Sequence, residues 1–311
     1  MINYGAFQRK YRLTEGFKYA RSVRNSSAKR VQTLFIILFV LPSLMFVPVI
    51  ASSGSPIATL FIVCSVLGLV LSAVAYFYAR SGVYKLKMQQ FAQDNNFKYL
   101  PQLYKDALEG VLFTKGHSKK ATNGIMGSYM GKQFALFDYQ YTTGSGKNQH
   151  TYYHGVMSVQ LPKVFPHILL DNRRDSSVGS LEFRRDQRLE LEGDFNKTFN
   201  VYGPKEYEIE VLQILNPHVM SELLKSPEPV DIEIKGQTLF IYNRGKNNPN
   251  SIQSIFTAFE LIEQSTARLQ KTFTMSEAIG EYTPVLVRSK WPTIIAISVF
   301  VLYVLLQILF S

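Results

Sequence analysis

Gly144-Ser-Gly-Lys147 is the first place in this chain where residue types invite chemistry. A nucleotide-binding loop needs Gly-x-x-x-x-Gly-Lys-Ser/Thr, whose backbone amides cradle phosphates and whose final hydroxyl holds Mg²⁺. Here Tyr141 stands at the first glycine position and Asn148 follows the lysine. Both requirements fail, and the segment reads as a loop between two strands. His150 and His154 are four apart, a spacing that aims two imidazoles at one metal only on a helix. In a strand they lie some 13 Å apart at about 3.3 Å per residue, too far for one ion. His117, His167 and His218 are isolated. Glu190, Glu192 and Asp194 have the spacing of one strand face, and carboxylate pairs can run glycosidase-type acid/base work. Leu189 and Leu191 alternate with them, however, and Arg184, Arg185 and Arg188 stand beside them, the pattern of a strand with one solvated face. No Gly-x-Ser-x-Gly elbow is present. The single cysteine, Cys64, allows no intramolecular disulfide and no cysteine zinc site, which suits a reducing compartment. No catalytic, cofactor-binding or metal-binding residue is therefore assigned, and no cofactor is expected. Tyr139, Tyr141, Tyr152 and Tyr153 remain, with Lys147 at the adjoining loop. They can line a contact surface or pack across strands.

The elements that must position these residues follow from periodicity. Leu100, Leu103, Tyr104, Ala107, Leu108, Val111 and Leu112 carry helical spacing, with Pro101 in the first turn. Strands are expected over 124–130, 132–142 and 150–161, with a short one near 167–171 and a further pair over 181–191 and 195–202. On the second strand Ala135, Phe137, Tyr139 and Tyr141 share one face. Phe134 and Leu136 share the other with Asp138 and Gln140, so both sides of the sheet should be covered. Helices return near 207–215, then from Pro217 behind an Asn216 cap. Val230–Ile234 and Thr238–Asn243 read as a hairpin about Lys235-Gly-Gln237. Ile252, Ile255, Phe256, Phe259 and Ile262 form the buried stripe of a last helix. The fold class is α+β, a mostly antiparallel sheet with packed helices.

Three runs, Thr33–Ile50, Ile57–Ala79 and Pro292–Phe310, contain no Asp, Glu, Lys or Arg. Each has the length of a helix crossing a hydrocarbon core of roughly 30 Å. The expectation is an α+β domain carried on three transmembrane helices. Residues 1–31 then form a basic juxtamembrane segment, 32–79 hold two spans, 80–291 form the domain, and 292–310 return to the membrane. The second helix should run on to about residue 93, where Asp94-Asn95-Asn96 breaks it. The net charge is +11, and most of it sits in the first segment, where Arg9, Lys10, Arg12, Lys18, Arg21, Arg24, Lys29 and Arg30 face one acid, Glu15. That asymmetry excludes a nucleic-acid reading for the nearly balanced 80–290 region. Positive flanks stay inside, so the N-terminus and domain are expected in the cytoplasm, with the 51–56 loop and Ser311 outside. Arg9, Lys10, Arg12, Arg21, Arg24, Lys29 and Arg30 are expected to face anionic lipid, interleaved with Phe7, Tyr11, Phe17 and Tyr19.

From about residue 100 to 270 the order of motifs is similar to a prokaryotic family of membrane-anchored cytoplasmic domains without an assigned activity. The motifs are Gly131-Lys-Gln-Phe-Ala-Leu-Phe-Asp-Tyr-Gln-Tyr-Thr-Thr-Gly-Ser-Gly-Lys147, Val159-Gln-Leu-Pro162, Gly193-Asp-Phe-Asn-Lys-Thr-Phe-Asn-Val201, Leu215-Asn-Pro-His-Val-Met220 and Ile234-Lys-Gly-Gln-Thr-Leu239. The resemblance implies a cell-membrane protein and supplies no catalytic residue. Together these readings favour an interaction, scaffold or sensing module. Its expected partners are the lipid bilayer and a protein or second copy of the chain, not nucleic acid. One alternative is an enzyme on a membrane-derived substrate, using Asp138, His150 or His154. The other is an accessory transporter subunit, although the spans contain no charge to mark an ion path.

Overall fold

The computed structural model describes residues 2–22, 56–103, 108–174, 182–183, 188–191, 193–269 and 286–287. They fall into two compact units, residues 1–99 and 100–311.

The first unit is helical: α1 (Gly5–Gln8), α2 (Leu13–Ser22) and the 39-residue α3 (Pro56–Asp94). α3 ends where Asn96 adopts φ +58°. Its second half is covered by the N-terminal segment, with Tyr4 and Phe7 packing their rings on Phe91 at 5.9 and 5.1 Å. Ala79, Met88, Phe91 and Ala92 are buried there. α2 crosses α3 at a pair of glycines, where a Cβ on Gly82 would stand 1.9 Å from the Gly16 carbonyl oxygen. Gly82→Ala is therefore expected to push the helices apart, at a cost of roughly 1–3 kcal/mol typical of overpacking. Faster amide exchange across α2 would report it, and unchanged exchange would argue against a tight crossing.

No helix among the described residues is long and apolar enough to cross a membrane. This overturns the expected carriage on three transmembrane helices, along with the multi-pass and cell-membrane assignments that rested on it. The run Ile57–Ala79 falls inside α3, which continues through Arg80, Lys85 and Lys87 and packs on other helices of its own chain. That packing covers the second half of the helix; within the run Val66, Val70, Val74 and Phe77 are exposed. Thr33–Ile50 and Pro292–Phe310 lie outside the described residues.

The second unit is an α+β domain built on an antiparallel sheet. Its strands are β1 (Lys98–Leu103, starting in the first unit), β2 (His117–Tyr129), β3 (Lys132–Thr143), β4 (His150–Asn172), β6 (Arg188–Leu189), β7 (Phe199–Tyr202) and β8 (Asp231–Arg244). A separate short pair joins β5 (Glu182–Phe183) to β9 (Leu286–Val287). The main order is β1-β2-β3-β4-β7-β6, with β8 along β4. Pro101 sits in β1, an edge strand of the sheet, the kind of strand in which proline is tolerated. Where a helix is expected from residue 100, the chain is a strand to Leu103 and a 3₁₀ turn at Val111–Thr114, and residues 104–107 lie outside the described residues.

β4 and β8 pair along nearly their whole length, from His154↔Arg244 to Leu170↔Ile232. The register slips between Gln160 and Ile168, the stretch that contains Pro162 and Pro166, neither of which can donate to a ladder. Opposite the slip, Gly236 takes φ +59°. The expected 230–243 hairpin is instead one strand bent there, so the sheet folds over on itself. Tyr242 Oη can then reach Glu233 on the same strand at 2.6 Å. The expected strand at 195–202 begins as a helical turn, α4 (Phe195–Thr198).

α5 (Glu208–Ile214) and α6 (Pro217–Leu224) follow, the latter capped by the Asn216 side chain, which accepts from His218 and Val219 backbone N–H. α7 (Pro249–Arg268) begins with a capping box between Asn248 and Ser251. It lies on one face of the sheet, where Phe256 packs edge-on against Phe134 at 5.5 Å and Tyr129 at 5.4 Å.

Candidate functional site

Strand alternation sends Phe137, Tyr139 and Tyr141 away from α7, into the concave side of the folded sheet. The 3₁₀ turn fills that concavity. Phe113 stands at its centre, 4.8 Å from Tyr139, 5.4 Å from Phe240, 6.1 Å from Tyr242 and 6.5 Å from Phe137. One carboxylate fixes the turn. Glu233, fully buried, accepts from Val111 N–H at 2.8 and 3.1 Å and from Tyr242 Oη at 2.6 Å. His167 Nε2 lies 2.7 Å from its Oε1. Gly110 must be glycine here, because a Cβ would meet Tyr242 Oη at 2.2 Å.

Toward the open end of the concavity, Tyr139 and His154 are cross-strand partners and so share a face. Tyr141 lies flat on the His154 ring, at 5.7 Å and 6°, and Tyr152 stacks on Tyr141 at 5.3 Å and 21°. Among the described residues Tyr139 Oη and both His154 ring nitrogens make no hydrogen bond, although both residues are buried. Burial, then the nearby Lys115 and Arg244, lowers the His154 imidazole to about 4. Burial likewise lowers the Lys115 ammonium to about 8, opposed by Asp231 and Asp171. Burial raises the Tyr139 and Tyr141 phenols to about 12, each helped by its tyrosine neighbour. At neutral pH the cluster thus holds a neutral imidazole and protonated phenols. An imidazole with so low a pKa is a poor general base near pH 7, since catalytic efficiency peaks when pKa matches operating pH.

Asp138, on the opposite face, is a structural anchor. Its Oδ2 accepts from Asn123 Nδ2 at 2.8 Å, and its Oδ1 accepts from Asn247 N–H at 2.9 Å and Asn247 Nδ2 at 3.1 Å. It thereby ties the β2–β3 pair to the loop that starts α7. Gly155, opposite Asp138, leaves room for Asn247, whose Oδ1 lies 2.4 Å from where a Cβ would be. His150 is exposed, and no group of three or more metal-ligating side chains occurs among the described residues. Glu190 and Asp194 are solvent-facing while Leu189 and Leu191 are buried, and Asp194 pairs with Lys197 at 2.6 Å.

Of the five sequence-predicted contact residues, Tyr139 and Tyr141 are buried, whereas Tyr152 (43% exposed), Tyr153 (39%) and Lys147 face solvent. Lys246 Nζ stands 5.0 Å over the Tyr153 ring. In the basic segment Arg9, Lys10 and Arg12 are exposed. Arg21 lies in α2 with its side chain outside the described set, as are Arg24, Lys29 and Arg30 altogether. Sequence reasoning missed Lys115, His167, Glu233, Arg244 and Lys246. Lys115 was hidden at the end of a helical pattern that is not a helix. Asp231 and Glu233 alternate with Val230, Ile232 and Ile234 as a wet strand face would, and nothing local shows that the sheet folds over them.

No family model matches the chain, and no curated protein matches it. Among solved structures, the crystal structure of the mycobacterial trehalose monomycolate transport factor A, TtfA, is similar with 12% identity and a TM-score of 0.44, over 60% of this chain and 96% of that one. At that identity and score the likeness carries no argument about what this chain does.

Proposed function

We propose that the α+β domain is a non-catalytic interaction module, a scaffold or sensor whose contact surface is the exposed end of the β3–β4 pair. One observation carries this reading: two large aromatic side chains, Tyr152 and Tyr153, are solvent-facing at the same end of one strand, on its two opposite faces, with β3 and β8 paired on either side. Tyrosines presented on a rigid support lose little conformational entropy on contact, and they dominate binding energy where they occur at the centre of interfaces. The Tyr141–His154 stack behind Tyr152 fixes one ring, and Lys246 above Tyr153 fixes the other. Of the three acid/base candidates on this part of the sheet, Asp138 is engaged in structure, His154 is poorly matched to neutral pH, and His150 is exposed at the start of β4.

The test is purification of the full-length protein from its own cells, with mass spectrometry of what co-elutes. The wild type is compared with a Tyr152→Ser, Tyr153→Ser variant. Loss of a stoichiometric companion in the variant is the expected result. Retention of every companion by a variant that still melts as the wild type does would refute the assignment of this surface.

A further inference from the structure

The near-balanced charge of the domain hides an uneven distribution that only the fold reveals. Three segments, 115–123, 143–154 and 244–248, contain Lys115, His117, Lys119, Lys120, Lys147, His150, His154, Arg244 and Lys246 and no Asp or Glu. The sheet brings them to one end. Lys120 pairs with Gln140 and Gln140 with Tyr153. Gly245 N–H donates to the Tyr153 carbonyl at 2.8 Å, and His154 pairs with Arg244. His117 Nε2 lies 2.9 Å from the Gly144 carbonyl, closing the first segment onto the second. The acids near this end are buried: Asp231 and Asp171 act on Lys115 from the interior, and Asp138 is held by Asn123 and Asn247, so no acid from these segments stands among the outer charges. Lys120, Lys147 and Lys246 are exposed; Tyr153 shares a sheet face with Lys120 and lies under Lys246, and Tyr152 flanks the same end on the other face.

Resting on the interaction-module reading, we infer that this acid-free end docks on an anionic lipid surface, with Lys120, Lys147 and Lys246 on headgroup phosphates and Tyr152 and Tyr153 in the interfacial layer. Two features favour lipid over an acidic protein. The charges are distributed across an end of the domain rather than paired in a fork, as suits a diffuse negative potential. The tyrosines have an apolar body and a polar tip, which suits the boundary between headgroups and acyl chains. Its residues belong to the second unit and include none of the basic N-terminal segment.

The experiment is flotation of the full-length chain with phosphatidylcholine vesicles, with and without phosphatidylserine, at low and high salt. A basic residue near such a surface contributes about fivefold in partitioning, so Lys120→Gln, Lys147→Gln, Lys246→Gln together should lower binding to the anionic vesicles by about a hundredfold. High salt should do the same, because the Debye length shortens. A matched variant, Arg9→Gln, Lys10→Gln, Arg12→Gln, controls for the N-terminal segment. If the domain variant binds as the wild type does while the N-terminal variant does not, the inference is wrong. If no variant or wild type prefers anionic vesicles, yet the tyrosine variant still loses a protein companion, the contact surface stands and its lipid assignment falls. If lipid preference and companion are both indifferent to these residues, both readings fall.

Discussion

Glu233→Ala is expected to destabilise the α+β domain by about 3–5 kcal/mol, the range for removing one member of a buried charged or hydrogen-bonded set. Three groups lose their partner at once: the Val111 N–H, the Tyr242 hydroxyl and His167 Nε2. Each sits where water cannot replace the lost bond, and an unsatisfied buried polar group costs about 1–3 kcal/mol. Since whole domains are stable by only about 5–15 kcal/mol, a fifth or more of the total is at stake. The loss also reaches the core, because the carboxylate holds the 3₁₀ turn that carries Phe113 into the concavity. Glu233→Gln is expected to cost less. One amide oxygen can still accept from Val111 or Tyr242, but the new NH₂ group must face a donor. Denaturant midpoints of the wild type and both variants check this. An alanine variant within 1 kcal/mol of the wild type would mean that the turn is held by packing alone.

The second large effect is a loss of stability in acid that depends on His154. Its folded pKa of about 4 lies below the ordinary imidazole value of 6.5. The folded state therefore resists protonation that the unfolded chain accepts. The penalty is absent above pH 6.5, grows as pH falls, and is complete below pH 4. A difference of that size amounts to about 3 kcal/mol, taking 1.36 kcal/mol per unit of pKa. Carboxylates contribute acid sensitivity too, so the comparison must be with His154→Phe, which keeps a flat ring against Tyr141. The wild type should lose about 3 kcal/mol more than this variant between pH 7 and pH 4. Equal losses would show that the imidazole is hydrated or partnered in solution.

Local patterns in the sequence were legible wherever a residue's neighbours in the chain are also its neighbours in space. The two faces of β3, the Asn216 cap and the buried stripe of α7 from Ile252 to Ile262 are of this kind. The α+β class followed from them. Reading failed where a distant segment decided the outcome. Leu100 to Leu112 has helical spacing, yet pairing with β2 draws residues 98–103 into a strand. Val230 to Asn243 looks like two strands and a turn because Gly236 interrupts it, but β4 is long enough to pair with both halves. The aromatic set was found as a group, whereas its division into buried Tyr139 and Tyr141 and exposed Tyr152 and Tyr153 depends on the bend. The acid-free end is the extreme case: its three segments are separated by twenty to ninety residues of roughly neutral chain.

β4 is paired on one side with β3 and β7 and on the other with β8, whose residues come last among the sheet's main strands. During synthesis the β3–β4 hairpin can close early, because its partners are local. The other edge of β4, a 23-residue strand, must then wait for β8, some 70 residues later. At 5–20 residues per second that is roughly 4–14 s with one long backbone edge of β4 unpaired. A long-range partner of this kind also makes refolding slow. The nascent chain between residues 172 and 231 is thus the interval in which self-association competes with folding, and the interval in which a chaperone would have most to do.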